Sequence, residues 1–123
     1  MCNVGMFNFE KLDVWRKAID FVDLVHNQTR QFPSDERFRL TNQMRRAAVS
    51  ISSNIAEGTS RLSQTDYARF IEIATGSVFE VVSQAFIGRG QRFLNDQGFR
   101  SLYAAADEIG RMLSGLRKSL GID

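Results

Sequence analysis

The last quarter of the chain repeats apolar residues at alternating steps of four and three, and this spacing limits the possible fold more than any other feature. The repeat continues without a miss through Leu102, Ala106, Ile109, Leu113, Leu116 and Leu120. An α-helix places such residues along one stripe, which is typical of a helix in a bundle. We therefore predict a helix over about residues 96–120, with a turn and cap at Asn95-Asp96 and an end at Gly121.

Three earlier segments also show helical periodicity, and they lie at about residues 12–31, 35–57 and 64–93. The first two are separated at Phe32-Pro33, because proline has no backbone N–H to donate and disrupts a helix interior. Ser34 is predicted to cap the second helix. No segment alternates with a period of two, so no sheet is expected.

The length and composition suit one compact domain, because 43% of the 123 residues are hydrophobic and a chain of this size can bury a core. The expected fold is all-α, an antiparallel up-down-up-down four-helix bundle that spans residues 1–123. Residues 1–8 carry no periodic signal and are expected to form a loose arm.

The junction between the second and third helices carries the most local signals. Gly58 follows the last apolar residue of the second helix and is predicted to end it in the left-handed conformation, which glycine adopts without a Cβ clash. Ser63, with Asp66 three residues later, resembles a capping box. Asn54 and Glu57 are assigned to satisfying the helix end and the turn, rather than to catalysis.

The third helix contains an interior glycine, Gly76. A glycine costs a helix roughly 1 kcal/mol relative to alanine. We therefore expect the backbone of the second helix to approach closely at Gly76.

The third helix is also apolar on two sides. One stripe, predicted to lie in the core, consists of Ile71, Ala74, Val78, Val81 and Ala85. A second stripe, about a hundred degrees around the helix, consists of Phe79, Val82, Phe86 and Phe93. A single bundle can bury one stripe and only the flank of the other, and phenylalanines left exposed to water would favour association with other molecules. We therefore expect a homo-oligomer in which the second stripe forms the interface.

Positive charge is concentrated in residues 37–61, although the whole chain has a net charge of only +2. This segment holds five arginines and one acidic residue, Glu57. Arginine suits phosphates and carboxylates alike, so two interpretations stay open. In one, the arginines pair with carboxylates such as Glu57, Glu72 or Glu80. In the other, a basic surface binds the RNA or DNA backbone without an aromatic platform or base-reading motif, and it consists of Arg37, Arg45, Arg46, Arg61 and Arg69.

No motif for catalysis or metal binding is found in the sequence. One cysteine, Cys2, and one histidine, His26, make neither a disulfide nor a zinc cluster. Nucleophile elbows, phosphate-cradling glycine loops and paired Glu-x-x-His repeats are absent. We therefore expect no enzyme, cofactor or metal. No apolar run reaches the length of a bilayer span and no signal-peptide pattern is present, so a cytoplasmic location without a membrane partner is expected.

Several motifs together resemble one known family. They are Gln43–Ile51 (QMRRAAVSI), Ser53–Gly58 (SNIAEG), Phe70–Ser77 (FIEIATGS), Leu12–Trp15 (LDVW) and Phe32-Pro33. Over about residues 9–120 the chain is similar to the bacterial four-helix-bundle proteins encoded in intervening sequences of large-subunit ribosomal RNA genes. That family includes the accessory variability determinant (Avd) proteins of diversity-generating retroelements. The family often continues Gly76-Ser77 with a longer acidic motif, whereas this chain has Val78-Phe79-Glu80.

The resemblance implies a fold and partners. It implies a pentamer and, for the Avd branch, action with a reverse transcriptase and its template RNA. The leading functional hypothesis is a non-catalytic oligomer that binds nucleic acid. The alternative is an oligomeric protein–protein scaffold that has no nucleic-acid role.

Overall fold

The computed structural model describes residues 7–121, which form four α-helices and two short 3₁₀ turns. The helices are α1 (Asp13–Thr29), α2 (Leu40–Thr59), α3 (Gln64–Gly90) and α4 (Asp96–Ser119), and the 3₁₀ turns are Asn8–Lys11 and Ser34–Glu36. No strand occurs in this part of the chain, so the all-α prediction is confirmed. Most of the predicted N-terminal arm, including Cys2, lies outside the described residues.

The helices pack as a bundle in which each contacts the next and α4 returns to α1. Because the connections are short, successive helices are antiparallel. We call the end where α1 and α3 finish and α2 and α4 begin the upper end. The lower end is the one where α1 and α3 begin.

The core contains the stripes that the sequence predicts. All five residues of the first α3 stripe are buried. On α4, the buried members of the repeat are Leu102, Ala106, Ile109 and Leu113, whereas Leu116 and Leu120 are only partly buried because they approach the lower end.

Helix α2 begins later than predicted, at Leu40 rather than near residue 35. Ser34 forms no side-chain cap, and residues 34–36 form a separate 3₁₀ turn. The backbone N–H of Leu40 instead donates to Oε1 of Glu36 at 3.4 Å, which brings a carboxylate to the positive end of the helix dipole. The other two predicted caps are confirmed: the N–H of Asp66 donates to Ser63 Oγ at 3.0 Å, and the N–H of Gly98 donates to Asn95 Oδ1 at 2.7 Å.

The prediction that Gly121 ends the fourth helix is confirmed, because α4 ends at Ser119 and Gly121 has a φ of 71°. The predictions about Gly58 and Gly76 are wrong. Gly58 remains within α2, and of the described glycines only Gly121 has a positive φ. Gly58 is buried against α3, where an added Cβ would meet Tyr67 Cδ1 at 3.0 Å and Phe70 Cβ at 3.1 Å. Burial at this contact raises the pKa of the Tyr67 phenol. Gly76 is exposed and has no atom within 4 Å of an added Cβ.

The close approach of α2 and α3 is made by other small residues. The hydroxyls of Ser50 and Ser77 share a hydrogen bond of 2.9 Å across the two helices. The amide Nδ2 of Asn54 donates to the Ser50 carbonyl at 2.8 Å and to its Oγ at 3.0 Å. Asn54 therefore supports this contact one turn before the helix end to which the sequence assigned it.

By length and composition alone, α3 is apolar enough to cross a membrane, so the expectation that no apolar run reaches that length is wrong. The core helix of a bundle passes the same test, and α3 packs against both α2 and α4. Its apolar character comes from carrying two stripes rather than one.

The two glycines give opposite expectations for stability. Gly58→Ala should lower the free energy of unfolding by about 1–2 kcal/mol, because Phe70 Cβ is fixed to the α3 backbone and cannot yield. Gly76→Ala should raise it by roughly 0.5–1 kcal/mol, because alanine gains helix propensity in open space. Urea unfolding of both variants beside the wild type measures the two changes in the free energy of unfolding. Equal changes of the same sign would contradict the conclusion that Gly58 is tightly packed and Gly76 is not.

Candidate functional site

The five arginines predicted to bind nucleic acid do not form one surface. Arg37 lies at the upper end, before α2, whereas Arg61 and Arg69 lie at the lower end. Helix α2 between them has 20 residues and is therefore about 30 Å long at 1.5 Å per residue. Arg45 and Arg46 lie on α2 nearer the upper end.

The partly buried side chain of Arg45 links α2 to the end of α1. Its Nε donates to Thr29 Oγ1 at 3.0 Å, and its Nη2 donates to the carbonyl of His26 at 3.5 Å. These acceptors lie at the C-terminal end of α1, where a cation is favoured by the helix dipole. Arg45 thus bonds to a hydroxyl and a carbonyl, not to the carboxylates that the sequence suggested.

The remaining predicted arginines differ in their surroundings. Arg61 forms an ion pair of 2.7 Å with Glu57, and its guanidinium carbon lies 4.5 Å from the Phe70 ring centroid. Arg46 and Arg69 are exposed and form no ion pair within residues 7–121. The other carboxylates considered from sequence have different partners. Glu72 pairs with Arg117, and Glu80 accepts from Gln84.

The upper end gathers a different set of arginines from two segments distant in sequence. Six of them are exposed and form no ion pair among the described residues: Arg30, Arg37, Arg39, Arg89, Arg92 and Arg100. The same two segments, residues 30–39 and 89–100, hold only three acidic residues, which are Asp35, Glu36 and Asp96. The ion pairs of the described chain all lie elsewhere. We call this set the upper-end arginines.

Three of these arginines line two polar clefts on either side of the half-buried Phe93. One cleft, of about 440 Å³, is lined by Gln31, Arg89, Arg92, Phe93, Leu94, Asn95 and Asp96. The other, of about 380 Å³, is lined by Glu36, Arg39, Leu40, Gln43, Ile87, Gln91 and Phe93. Amide and guanidinium groups therefore line both openings, beside one carboxylate in each, Asp96 and Glu36. Such donors are suited to phosphate oxygens.

Arg92 occupies a backbone position that favours glycine. Its φ is 65°, and it follows α3 in a Schellman turn, in which Phe93 N donates to Gly88 O at 2.9 Å and Arg92 N donates to Arg89 O at 3.0 Å. A residue with a Cβ costs about 1–2 kcal/mol in this conformation. The turn also carries the chain out of the helix, so Phe93 packs on Phe32 with ring centroids 5.7 Å apart.

Arg89 is held in place by aromatic rings. Its guanidinium carbon lies 3.9 Å from the ring centroid of Phe99 and 5.3 Å from that of Phe86. Cation–π contacts of this kind fix the cation without neutralising it.

A second surface feature is an apolar groove of about 730 Å³ between α3 and α4. On the α3 side it is lined by Phe79, Val82 and Phe86, and Phe79 is 71% exposed. On the α4 side Ala106, Gly110 and Ser114 recur every fourth residue, and Tyr103, Asp107 and Arg111 lie beside them. Three of the four residues in the predicted interface stripe thus line one groove, which we call the α3–α4 groove. Phe93 does not, because it lies beyond the Schellman turn.

The sequence signal for the upper-end arginines was present but weak. Segment 89–123 has a net charge of +2, yet the basic run at residues 37–61 dominated the prediction. Only the antiparallel topology brings Arg89 and Arg92 beside Arg39. Residues 7–121 contain no cluster of three or more histidine, cysteine or acidic side chains that could hold a metal, and His26 is exposed.

Comparison with known proteins gives a family and a fold. A family model described as 23S rRNA-intervening sequence protein matches residues 10–115. The structure is similar to a crystal structure, at 1.70 Å resolution, of a protein of unknown function from the S23 ribosomal protein family of Bacteroides thetaiotaomicron. The TM-score is 0.79 at 21% identity, and the match covers 85% of this chain and 98% of the other. Comparison with curated proteins gives no significant match.

Arg45 and Arg46 are adjacent yet should respond differently to substitution. Arg45→Ala should lower the free energy of unfolding by roughly 1–2 kcal/mol, because it leaves acceptors at the end of α1 without their donor. Arg46→Ala serves as the matched control and should change it by less than about 0.5 kcal/mol, as for an ordinary surface position. Thermal or urea unfolding tests this. If Arg45→Ala leaves the free energy of unfolding unchanged, Arg45 does not stabilise the contact between α1 and α2.

Proposed function

We propose, because this chain belongs to the 23S rRNA-intervening sequence protein family, that it is a non-catalytic oligomer that binds RNA through its upper-end arginines. The observation that carries the proposal is that none of these six arginines forms an ion pair within residues 7–121. At the lower end Arg16, Arg61 and Arg117 are each paired, and Arg69 is an isolated arginine there that forms no ion pair among the described residues. Clustered cations repel one another, and phosphates relieve that repulsion. The name of the family, which refers to ribosomal RNA genes, makes RNA the first nucleic acid to test.

The position of Arg92 supports this proposal. A glycine would fit its left-handed backbone without strain. An arginine there destabilises the folded chain through backbone strain, but it places a cation in the lining of a polar cleft. Strain at an exposed charged residue is the kind of outlier from which a functional role is inferred.

Self-association through the α3–α4 groove is the second part of the proposal. The groove exposes Phe79 and Phe86 beside small residues of α4, and a helix of a second copy would bury both rings. The resemblance to the family suggests a pentamer. For the Avd branch it further implies a reverse transcriptase as a protein partner, which binding of the purified polymerase to this chain would test.

The alternative function is an oligomeric scaffold for a protein partner, and the α3–α4 groove is the observation that favours it. The two functions differ in their dependence on salt. If the protein neutralises Z phosphates of a single strand, the logarithm of the association constant should fall linearly with the logarithm of the salt concentration, with a slope of about −0.7Z. A scaffold would give no shift with RNA at low salt.

Substitutions at the upper end test RNA binding. Arg39→Ala and Arg92→Gly should each weaken binding of a short RNA hairpin and reduce the salt slope by about 1. Arg92→Gly should also raise the free energy of unfolding by roughly 1 kcal/mol, because it relieves the left-handed strain. Fluorescence anisotropy at several salt concentrations, together with urea unfolding, measures both effects.

The matched control for these variants is Arg16→Ala at the lower end, where Arg16 pairs with Asp13 at 3.1 Å. The Arg16→Ala variant should bind the RNA hairpin with the affinity and the salt slope of the wild type. Equal losses in all three variants would mean that the charge of the whole protein, and not the upper end, attracts the RNA.

Phe79→Arg tests the oligomer interface. The wild type should scatter light as a multiple of the 14.0 kDa chain, whereas the variant should fall to a single copy. It should still fold, because Phe79 is 71% exposed in the isolated bundle. Leu62→Arg, at a fully exposed loop residue, is the control and should keep the wild-type mass. A wild type that is a single copy at micromolar concentration would disprove self-association.

A further inference from the structure

Phe38 is an exposed aromatic ring within the upper-end arginines. It is 82% exposed, more than any other aromatic residue between 7 and 121. Arg37 and Arg39 flank it in sequence, and the guanidinium carbon of Arg37 lies 5.8 Å from the ring centroid. A ring of this size in water gives up the stabilisation that burial would provide, and a ligand that covers the ring would recover it.

The turn that carries Phe38 is fixed on both sides of the ring. The N–H of Arg37 donates to Ser34 O at 3.2 Å, and the N–H of Arg39 donates to Glu36 O at 3.0 Å. The next residue, Leu40, is buried and donates to the Glu36 carboxylate. The ring is therefore presented from an ordered turn, which reduces the entropy lost on binding.

The surroundings of Phe38 favour a nucleobase over a protein. The centre of a protein–protein interface is depleted of charge and packs its aromatic anchors in apolar pockets. Phe38 instead lies beside the Arg37 guanidinium, and the cleft lined by its sequence neighbour Arg39 also contains Glu36, Gln43 and Gln91. Aromatic rings that stack on bases, beside a basic surface that follows the backbone, characterise proteins that bind single strands.

We propose that the upper end binds unpaired RNA bases, in single strands or loops, and that Phe38 is the platform on which one base stacks. This inference rests on the proposed function, since the arginines hold the backbone beside the ring. A paired duplex hides the faces of its bases within the stack, so the ring contributes nothing there. The arginines, by contrast, contact phosphates of either form.

The sequence did not reveal this platform, because a helix from residue 35 would have included Phe38. Once α2 begins at Leu40, residues 37–39 become a turn in which the ring points away from the core. The earlier expectation of a basic surface without an aromatic group is thus revised.

The test compares the binding of two RNA forms by the wild type and three variants. Phe38→Ala should weaken binding of a single-stranded RNA by about 5- to 160-fold, the range for loss of a stacked aromatic. It should leave the affinity for a duplex of equal length unchanged. Phe38→Trp should retain single-strand binding. Leu62→Ala, at an exposed apolar residue of the lower end, is the control and should bind both forms like the wild type.

A spectroscopic measurement adds a second readout. In the Trp15→Phe background, the indole of Phe38→Trp should be quenched by single-stranded RNA. An abasic strand with the same backbone should quench it far less, because stacking needs a base.

The outcomes separate the inference from the proposed function. If Phe38→Ala affects neither RNA form, or both equally, while Arg39→Ala weakens both, the stacking platform is disproved and RNA binding by the arginines stands. If Phe38→Ala changes the mass of the particle, the ring belongs to a protein interface and the inference is overturned. If the wild type binds no RNA at low salt, both proposals fail.

Discussion

The close contact between α2 and α3 is the constraint on which the rest of the structure depends. The hydroxyls of Ser50 and Ser77 meet at 2.9 Å, and Gly58 leaves room for Phe70 and Tyr67 at the lower end. Small residues at these points let the two helices approach, and the larger Tyr67 and Phe70 fit only where α2 has a glycine. On the other side of α3, Phe79 and Phe86 lie opposite Ala106, Gly110 and Ser114 of α4, and rows of unequal size leave a groove between them. The exposed phenylalanines therefore lie on the side of α3 that faces α4, away from the close contact with α2.

The antiparallel order of the helices has an equally direct effect on charge. It brings the turn before α2 beside the end of α3, and with them arginines from two basic segments about fifty residues apart. At the lower end three arginines are paired, with Asp13, Glu57 and Glu72, and only Arg69 is left without an ion pair among the described residues. Ion pairs on a surface contribute little to stability, so this difference matters less for folding than for the potential that each end presents. The unequal pairing of the arginines is not needed for folding. It gives the upper end a positive potential, which attracts an anionic ligand.

Most of the fold could be predicted from the sequence because helical periodicity is a local property. The core stripes of α3 and α4 and the caps at Ser63 and Asn95 depend on residues three or four apart. The errors arose where a residue's role depends on a distant neighbour. Whether a glycine relieves a clash is decided by what packs on it, which separates Gly58 from Gly76. Arg45 likewise finds its partners at the end of α1, and no pattern within α2 could indicate them.

The two proposed surfaces are compatible because they lie on different parts of the bundle. The α3–α4 groove runs along a side, whereas the upper-end arginines lie on an end. A groove on one copy that receives a different surface of the next makes a heterologous contact, and such contacts form a ring when the rotation between copies closes and an open filament when it does not. In a ring whose axis runs parallel to the helices, every upper end faces the same way. Weak contacts to phosphates and bases would then be repeated around one face, and a single RNA that reaches several copies gains affinity from effective concentration without any new contact. The packing that creates the groove would thereby also set the valency of the basic surface.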